Sequence, residues 1–155
     1  MRAPRREFLR RSAAAALALH PLAAAPLAGC AAPDDLPEGM ARIKWDRDVC
    51  VRCGMVISDR RFAAQAAGGP GMRTYKFDDV GCAVFWLARQ PWGGDPAVKL
   101  RVADASSGEW LDARGAAFAS GIGSPMGYNF AAARQAVPGA VSYETMRQQV
   151  LARGK

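Results

Sequence analysis

The string Leu-Ala-Gly-Cys at residues 27–30 limits what this chain can fold into, because it separates a leader from the part that forms a domain. It matches the lipobox of bacterial lipoproteins, whose cysteine is acylated and becomes the new N-terminus. Ahead of it, RREFLRR at residues 5–11 and a run of small apolar residues resemble a twin-arginine (Tat) export signal. The run is too short and too weakly apolar to be a membrane-spanning helix. We therefore predict a signal peptide over residues 1–29, a lipidated N-terminus and tether over 30–45, and one folded domain over 46–155.

The predicted lipid on Cys30 determines where the protein resides. Two or three acyl chains on one residue hold a protein stably at a membrane surface, here one that faces the periplasm. Ala31, and not an aspartate, follows the cysteine, which slightly favours the outer membrane. The chain that remains has the length of one ordinary domain.

The charge of the chain argues against a nucleic-acid partner. The net charge is +7, but five arginines and one glutamate of the leader account for four of these charges. No cluster of lysine and arginine lies beside aromatic residues that could stack on bases. The tryptophans are instead predicted to anchor the core: Trp45, Trp86, Trp92 and Trp110.

The positions of histidine and cysteine limit the kinds of metal site and catalysis that the domain can support. His20 is the only histidine and lies in the leader, so the domain lacks the commonest metal ligand and the commonest general base. No pair of carboxylates suggests acid–base catalysis, and we predict that the protein is not an enzyme. Beyond Cys30 the chain keeps three cysteines, an odd number for an oxidising compartment: Cys50, Cys53 and Cys82. One thiol must therefore stay free, bind a metal or pair with another chain.

Hydrophobic patterns predict an α+β domain built from two ββα-like units. RTYKF at residues 73–77 and AVKLRVAD at 97–104 alternate as strands do, and GGPG before the first of them is a turn. One helix is expected after Asp78-Asp79, which would supply its cap and a first-turn charge, and a second after Ser142. RGAAFASG at residues 114–121 fits either a short helix or a strand.

VCVRCGM, residues 49–55, offers two thiols and one thioether to a single site. A redox-active C-x-x-C normally lies at the start of a helix, whereas Gly54 and the apolar residues after it are poor material for a helix start. A thiol–disulfide oxidoreductase using Cys50 and Cys53 remains an alternative. A structural disulfide from Cys50 to Cys82 is another, and it would leave Cys53 free.

Zinc is a further alternative for the same residues. A structural zinc site takes four ligands in a closed tetrahedron. The domain has three cysteines, so a carboxylate just before Cys82, from Asp78 or Asp79, would have to complete the set. Such a site would make the domain a zinc-bound interaction module.

A softer ion fits the residue types better, because thiolate and thioether ligands together select Cu(I). The single Gly54 between Cys53 and Met55 lets both side chains turn toward one point without crowding at Cβ. Farther along the chain, Ser-Pro-Met-Gly at residues 124–127 has the signature of a type I turn, which places Met126 at its tip. The sequence therefore indicates a copper(I) site.

In this order and spacing, these segments resemble the NosL family, copper-binding accessory lipoproteins associated with nitrous oxide reductase. The resemblance covers roughly residues 46–150. The segments that carry it are the lipobox, CVRCGMVISDRRFAAQ, YKFDDVGCAVFWL, WLDA and SPMGYNF.

The resemblance implies a fold and a function. The fold would be α+β with two ββαβ-like halves. The protein would be a membrane-anchored, periplasmic metallochaperone that binds one Cu(I) and gives it to nitrous oxide reductase, an enzyme of denitrification, during assembly of its copper–sulfide centre. The implied copper ligands are Cys53, Met55 and Met126. Cys50 and Cys82 rank behind these three, either as a disulfide or as alternative thiolates.

Overall fold

Residues 36–154 are described by the computed structural model and form six strands and two helices. The predicted signal peptide and the lipidation site Cys30 lie outside this range. The α+β class is confirmed. The elements are β1 (Ala64–Gly68), β2 (Arg73–Phe77), α1 (Val80–Leu87), β3 (Lys99–Ala103), β4 (Trp110–Asp112), β5 (Ala117–Ser120), β6 (Phe130–Ala133) and α2 (Tyr143–Ala152).

The larger sheet has the strand order β2-β1-β3-β4, and every neighbouring pair is antiparallel. The predicted turn joins β1 to β2, where the Met72 amide donates to the Gly69 carbonyl at 3.0 Å. Gly71 and Met72 have positive φ there, 74° and 47°. The turn sets the register that pairs Ala64 with Phe77 at the far end of the hairpin.

Helix α1 follows β2 after two aspartates and is buried along almost its whole length. Asp79 is its N-cap and accepts a hydrogen bond from the Gly81 amide at 2.9 Å. The helix packs against β1 and β2 on one side and α2 on another. Since Asp79 caps the helix, Asp78 lies one residue before it, and the prediction of a first-turn charge is wrong: the first turn of α1 holds no acidic residue.

The second half begins with a two-stranded sheet, β5-β6, that is followed by α2. The ambiguous segment at residues 114–121 therefore contains a strand. Ser142 caps α2, as predicted, and accepts from the Thr145 amide at 3.3 Å. The first half reads β1-β2-α1-β3, a ββαβ unit, and β4 adds an edge strand to its sheet. The second half reads β5-β6-α2, and within the described range no strand follows α2.

The segment before β1 is irregular but packs on the larger sheet. Ile43 is buried, and the Ala41 amide donates to Gln65 Oε1 at 3.0 Å. Farther on, residues 49–56 form a loop closed by a bridge between Val49 and Val56. This loop is held beside β2 by the Val51 amide, which donates to the Lys76 carbonyl at 3.0 Å.

Both helices of the described range are short. Among residues 36–154, neither is long and apolar enough to cross a membrane.

Candidate metal centre

Three thiols and one carboxylate meet between the loop at residues 49–56 and the start of α1. The ligand atoms of Cys50, Cys53, Asp78 and Cys82 all lie within 4.8 Å of one another. Cys50, Asp78 and Cys82 are buried, and Cys53 is half-buried. All three cysteines are free thiols, so neither Cys50–Cys53 nor Cys50–Cys82 is bridged. We call these four residues the Cys3Asp cluster.

The loop brings two of the thiols together by a tight turn. The Gly54 amide donates to the Cys50 carbonyl at 2.9 Å, and the Cys50 amide donates to the Met55 carbonyl at 2.8 Å. Gly54 has a φ of 77°, a conformation that a side chain would strain. The glycine is thus required by the backbone of the turn. No helix begins at this C-x-x-C, in contrast to the arrangement typical of a redox-active pair.

The start of α1 supplies the other two groups. Asp78 and Cys82 are four positions apart, and Asp78 follows directly after β2. The Cys53 thiol donates to the Asp78 carboxylate, with Sγ at 3.4 Å from Oδ1 and 3.5 Å from Oδ2. The strand end and the helix start therefore fix one side of the cluster, and the loop fixes the other.

A cation compensates part of the negative charge at the cluster. Arg52 Nη1 lies 3.7 Å from Cys82 Sγ, and the guanidinium lies over the Phe85 ring at 4.8 Å from its centroid. Aromatic faces attract cations, so Phe85 helps to hold the charge in place. The same guanidinium of Arg52 also lies 5.8 Å from the centroid of the Tyr128 ring.

The three thiols differ in acidity. A hydrogen bond from the Cys82 thiol lowers the pKa of Cys50 to about 6. Burial is the main cause that raises the pKa of Cys53 to about 11. The pKa of Cys82 is raised well above its ordinary value, chiefly because its proton is shared with Cys50. Cys50 is therefore the most acidic of the three thiols in the metal-free cluster.

The two methionines predicted as ligands lie on different segments. Met55 follows the cysteines in the loop, and 46 % of its surface is exposed. Met126 is half-buried and packs against the core. A β-turn forms at residues 124–127, since the Gly127 amide donates to the Ser124 carbonyl at 2.9 Å. The Met126 amide donates to Asp79 Oδ2 at 3.3 Å, so the turn contacts the helix that carries Cys82.

The structure brings Cys53 together with Cys50 and Cys82, the two cysteines that the resemblance ranked behind it as ligands. It also adds Asp78, which the sequence offered only as an alternative fourth ligand for zinc. The pattern that carries this information is Asp-Asp-x-Gly-Cys at residues 78–82, where a strand passes into a helix. Metal coordination by Met55 and Met126 remains a prediction.

The Cys3Asp cluster could hold a metal ion, because thiolate and carboxylate are both metal ligands and their spacing lets one ion reach all four. The cluster does not by its shape alone select the ion. Searches against protein-family models, curated proteins and solved structures found no match to this chain, so no relative assigns a metal to the centre.

Proposed function

We propose that this protein is a membrane-anchored, periplasmic Cu(I) metallochaperone that delivers copper for assembly of the copper–sulfide centre of nitrous oxide reductase. The observation that carries the copper part of the proposal is the convergence of three thiols on one point in a domain without histidine. Cu(I) favours sulfur ligands and accepts two or three of them, so it needs neither imidazole nor a complete tetrahedron.

The exposure of the ligands supports transfer rather than permanent storage. Cys50 and Cys82 are buried and would retain the ion, whereas Cys53 is half-buried and Met55 is exposed. An acceptor can approach Cu(I) from the side of Cys53 and Met55 and replace these ligands one at a time. The ion then passes between proteins without entering solution, and no bond of a substrate is made or broken, as expected of a carrier that is not an enzyme.

The parts of the proposal that concern the membrane anchor and the client protein rest on the sequence. The lipobox at residues 27–30 would place the domain at a membrane facing the periplasm, and the resemblance to the NosL family suggests nitrous oxide reductase as the client. A client of this kind assembles its copper centre in the same compartment.

An anaerobic Cu(I) titration against a competing chelator tests the proposal, using the chain from residue 31 onward. We expect one tight equivalent, lost in Cys53→Ser and weakened in Met55→Leu and Met126→Leu. Met72→Leu is the matched control, since Met72 is as exposed as Met55, at 46 %, but lies in the β1–β2 turn. Unchanged affinity in Cys53→Ser would refute this site, and weakening in Met72→Leu would remove the argument from the methionines.

A structural zinc site is the second candidate, and the observation that favours it is the contact of Asp78 with Cys53 at 3.4 Å. Three thiolates and one carboxylate make the four ligands that zinc requires. In that case Asp78→Asn would reduce zinc affinity, and the metal-free domain would lose its fold. A Cu(I) carrier tolerates Asp78→Asn, because sulfur ligands suffice.

A thiol–disulfide oxidoreductase is favoured only by the lowered pKa of Cys50. A thiolate at neutral pH attacks disulfides, and its partner thiol then resolves the mixed disulfide. If this were the function, a Cys53→Ser variant would trap a mixed disulfide through Cys50. Failure to trap one from a periplasmic extract would exclude this candidate.

A further inference from the structure

We infer that Asp79 is the positioning residue that fixes the Met126 turn against the metal centre, so that one short segment, residues 78–82, aligns both the thiol and the thioether ligands. This inference rests on the proposed Cu(I) function. It assigns to Asp79 a role beyond that of a helix cap.

Asp79 makes more hydrogen bonds than a cap requires. Its Oδ1 accepts from the Gly81 amide at 2.9 Å, which already satisfies the start of α1. Its Oδ2 accepts from Ser124 Oγ at 2.6 Å and from the Met126 amide at 3.3 Å. Serine, threonine or asparagine would cap the helix equally well, but only a carboxylate offers two acceptor oxygens. The second oxygen is committed to a turn 45 residues farther along the chain.

The turn that Asp79 holds is rigid within itself. The Ser124 amide donates to Asn129 Oδ1 at 3.2 Å, and the Asn129 amide donates back to Ser124 Oγ at 2.9 Å. The Gly127 amide closes the turn on the Ser124 carbonyl at 2.9 Å. These hydrogen bonds join residues 124–129 into one turn. A hydrogen bond between Asp79 and the turn therefore fixes the position of Met126.

The same segment holds the other side of the metal centre. Asp78 contacts the Cys53 thiol, and Cys82 belongs to the Cys3Asp cluster. Asp79 lies between them in sequence and faces the Met126 turn. The two predicted classes of copper ligand, thiol and thioether, are therefore attached to one stretch of five residues. A change in the Asp79 contact would move Met126 relative to the thiols.

A second contact between this loop and the helix supports the fold of the domain when the hydrogen bond is removed. Gly81 packs so closely on Tyr128 that a Cβ there would lie 2.1 Å from the ring. Tyr128 is fully buried, and its ring is tilted against that of Phe85, with ring centroids 5.8 Å apart. Asp79→Asn should therefore leave the domain folded, with the cap intact, while it turns an amide group toward the Met126 N–H that formerly had an acceptor.

The test follows the Met126 methyl group directly. Cu(I) is diamagnetic, so methionine labelled with ¹³C at the methyl group can be observed by NMR during an anaerobic Cu(I) titration, with Met126→Leu to identify the signal. In the native chain we expect the Met126 and Met55 signals to shift on addition of one equivalent. In Asp79→Asn we expect the Met55 shift to persist and the Met126 shift to vanish.

Affinity gives the second readout. Loss of a contact that orients a metal ligand typically lowers metal affinity about 10–100-fold. We expect Asp79→Asn to match Met126→Leu, and the double variant to lose no more than either alone. Ser142→Ala is the matched control, because it removes the cap of α2 without touching the Met126 turn, and it should leave the affinity unchanged.

The outcomes separate the inference from the proposed function. If the native chain binds Cu(I) and Asp79→Asn keeps the Met126 shift, Asp79 is only a cap and the inference fails while copper carriage stands. If the native chain binds no Cu(I), both fail. Should Asp79→Asn not fold, Asp79→Ser decides, because serine caps a helix but has no second oxygen to accept from the Met126 amide: loss of the Met126 shift supports the inference, and retention overturns it.

Discussion

Among single residues, Cys50 stands out as the most acidic thiol of the metal-free centre. Hydrogen bonding from the Cys82 thiol lowers the pKa of Cys50 to about 6, whereas burial raises the pKa of Cys53 to about 11. A cysteine in an unfolded chain has a pKa of about 8.5. At neutral pH the folded centre thus carries a thiolate that the unfolded chain largely lacks, and stability must depend on pH.

We predict that the metal-free domain becomes more stable as the pH rises from about 6 to about 8.5. In this range the unfolded chain still binds the proton that Cys50 has released in the folded state, so the stability from Cys50 is lost as the pH falls through its folded pKa of about 6. Above about pH 8.5 the sign reverses, because Cys53 and Cys82 keep their protons only in the folded state. Urea unfolding under reducing conditions across this range measures the effect.

The control for this prediction is Cys50→Ser, which keeps a hydrogen-bonding group of similar size but removes the ionisation. The rise between about pH 6 and 8.5 should disappear in this variant. This pH range is favourable for the measurement, since the only histidine, His20, precedes residue 31 and no histidine lies in the described domain. A rise that persists in Cys50→Ser would mean that the thiolate lies elsewhere.

For single residues, the sequence predicted which residue types form the site better than which residues contact one another. Cys53 could be identified because glycine and methionine follow it, and Met126 because its turn is encoded locally by Pro125 and Gly127. Asp78 and Asp79 were predicted as a helix cap and a first-turn charge, yet Asp79 is the cap, and Asp78 is buried before the helix and contacts Cys53. Both aspartates are buried, Asp79 as the cap that faces the Met126 turn and Asp78 against Cys53, and these partners lie in segments that are distant in sequence.

Among the elements, α1 is the one on which the centre depends. It carries Cys82, follows Asp78 and receives the Met126 turn at its cap, and it packs on the sheet through an almost wholly buried surface. Gly81 in its first turn allows Tyr128 to approach closely. An alanine there would place its Cβ 2.1 Å from the Tyr128 ring, which is buried and has no room to withdraw.

We therefore predict that Gly81→Ala destabilises the domain by about 1–3 kcal/mol, the usual cost of inserting a carbon into a packed core. Because Tyr128 and the Met126 turn share a loop, the variant should also weaken Cu(I) binding if the domain folds. Thermal or urea unfolding measures the first effect and a Cu(I) titration the second. Gly94→Ala is the control, as nothing lies within 4 Å of a Cβ at Gly94 and its φ is not positive. Equal stability of the two variants would contradict the packing argument.

The elements differed in how far their sequences specified them. The hairpin of β1 and β2 and both helix caps carry local signals, such as Pro70 and Gly71 in the turn and Ser142 before α2. Strand β5 carries no such local signal, because its small residues repeat with neither a helical nor a strand period. It becomes a strand by pairing with β6 and by bonds to Val141, and these partners are supplied by the tertiary structure.

For the whole molecule, the question is whether the fold needs the metal. The core extends across both sheets and both helices through large apolar side chains that are fully buried, including Phe77, Leu100, Phe118 and Val150. The two halves are joined by backbone as well, since Asp104 at the end of β3 bridges Ala132 in β6. Cys50 and Cys82 belong to this core and Cys53 packs against it, but most of the buried apolar side chains lie outside the Cys3Asp cluster. Burial of apolar surface on this scale provides the driving force for folding without a metal ligand.

We predict that the metal-free domain is folded and unfolds cooperatively, and that Cu(I) stabilises it only by mass action. A ligand that binds the folded state alone adds about 2.7 kcal/mol when its free concentration is about one hundred times Kd, and the increment grows with the logarithm of concentration. The melting temperature should therefore rise with buffered free Cu(I) and return to its starting value when a chelator removes the ion. Cys53→Ser should melt at a temperature that does not change with Cu(I).

Circular dichroism in a chelating, reducing buffer distinguishes this behaviour from that of a structural zinc domain. Structural zinc supplies folding free energy, so its removal leaves such domains unfolded. If the spectrum of the metal-free domain were that of an unfolded chain, and zinc restored the helices and strands, the Cys3Asp cluster would be a structural site. A carrier must exist in both forms, because it leaves its client without the ion and returns to collect another. A fold supported by an apolar core that extends well beyond the ligands meets this requirement.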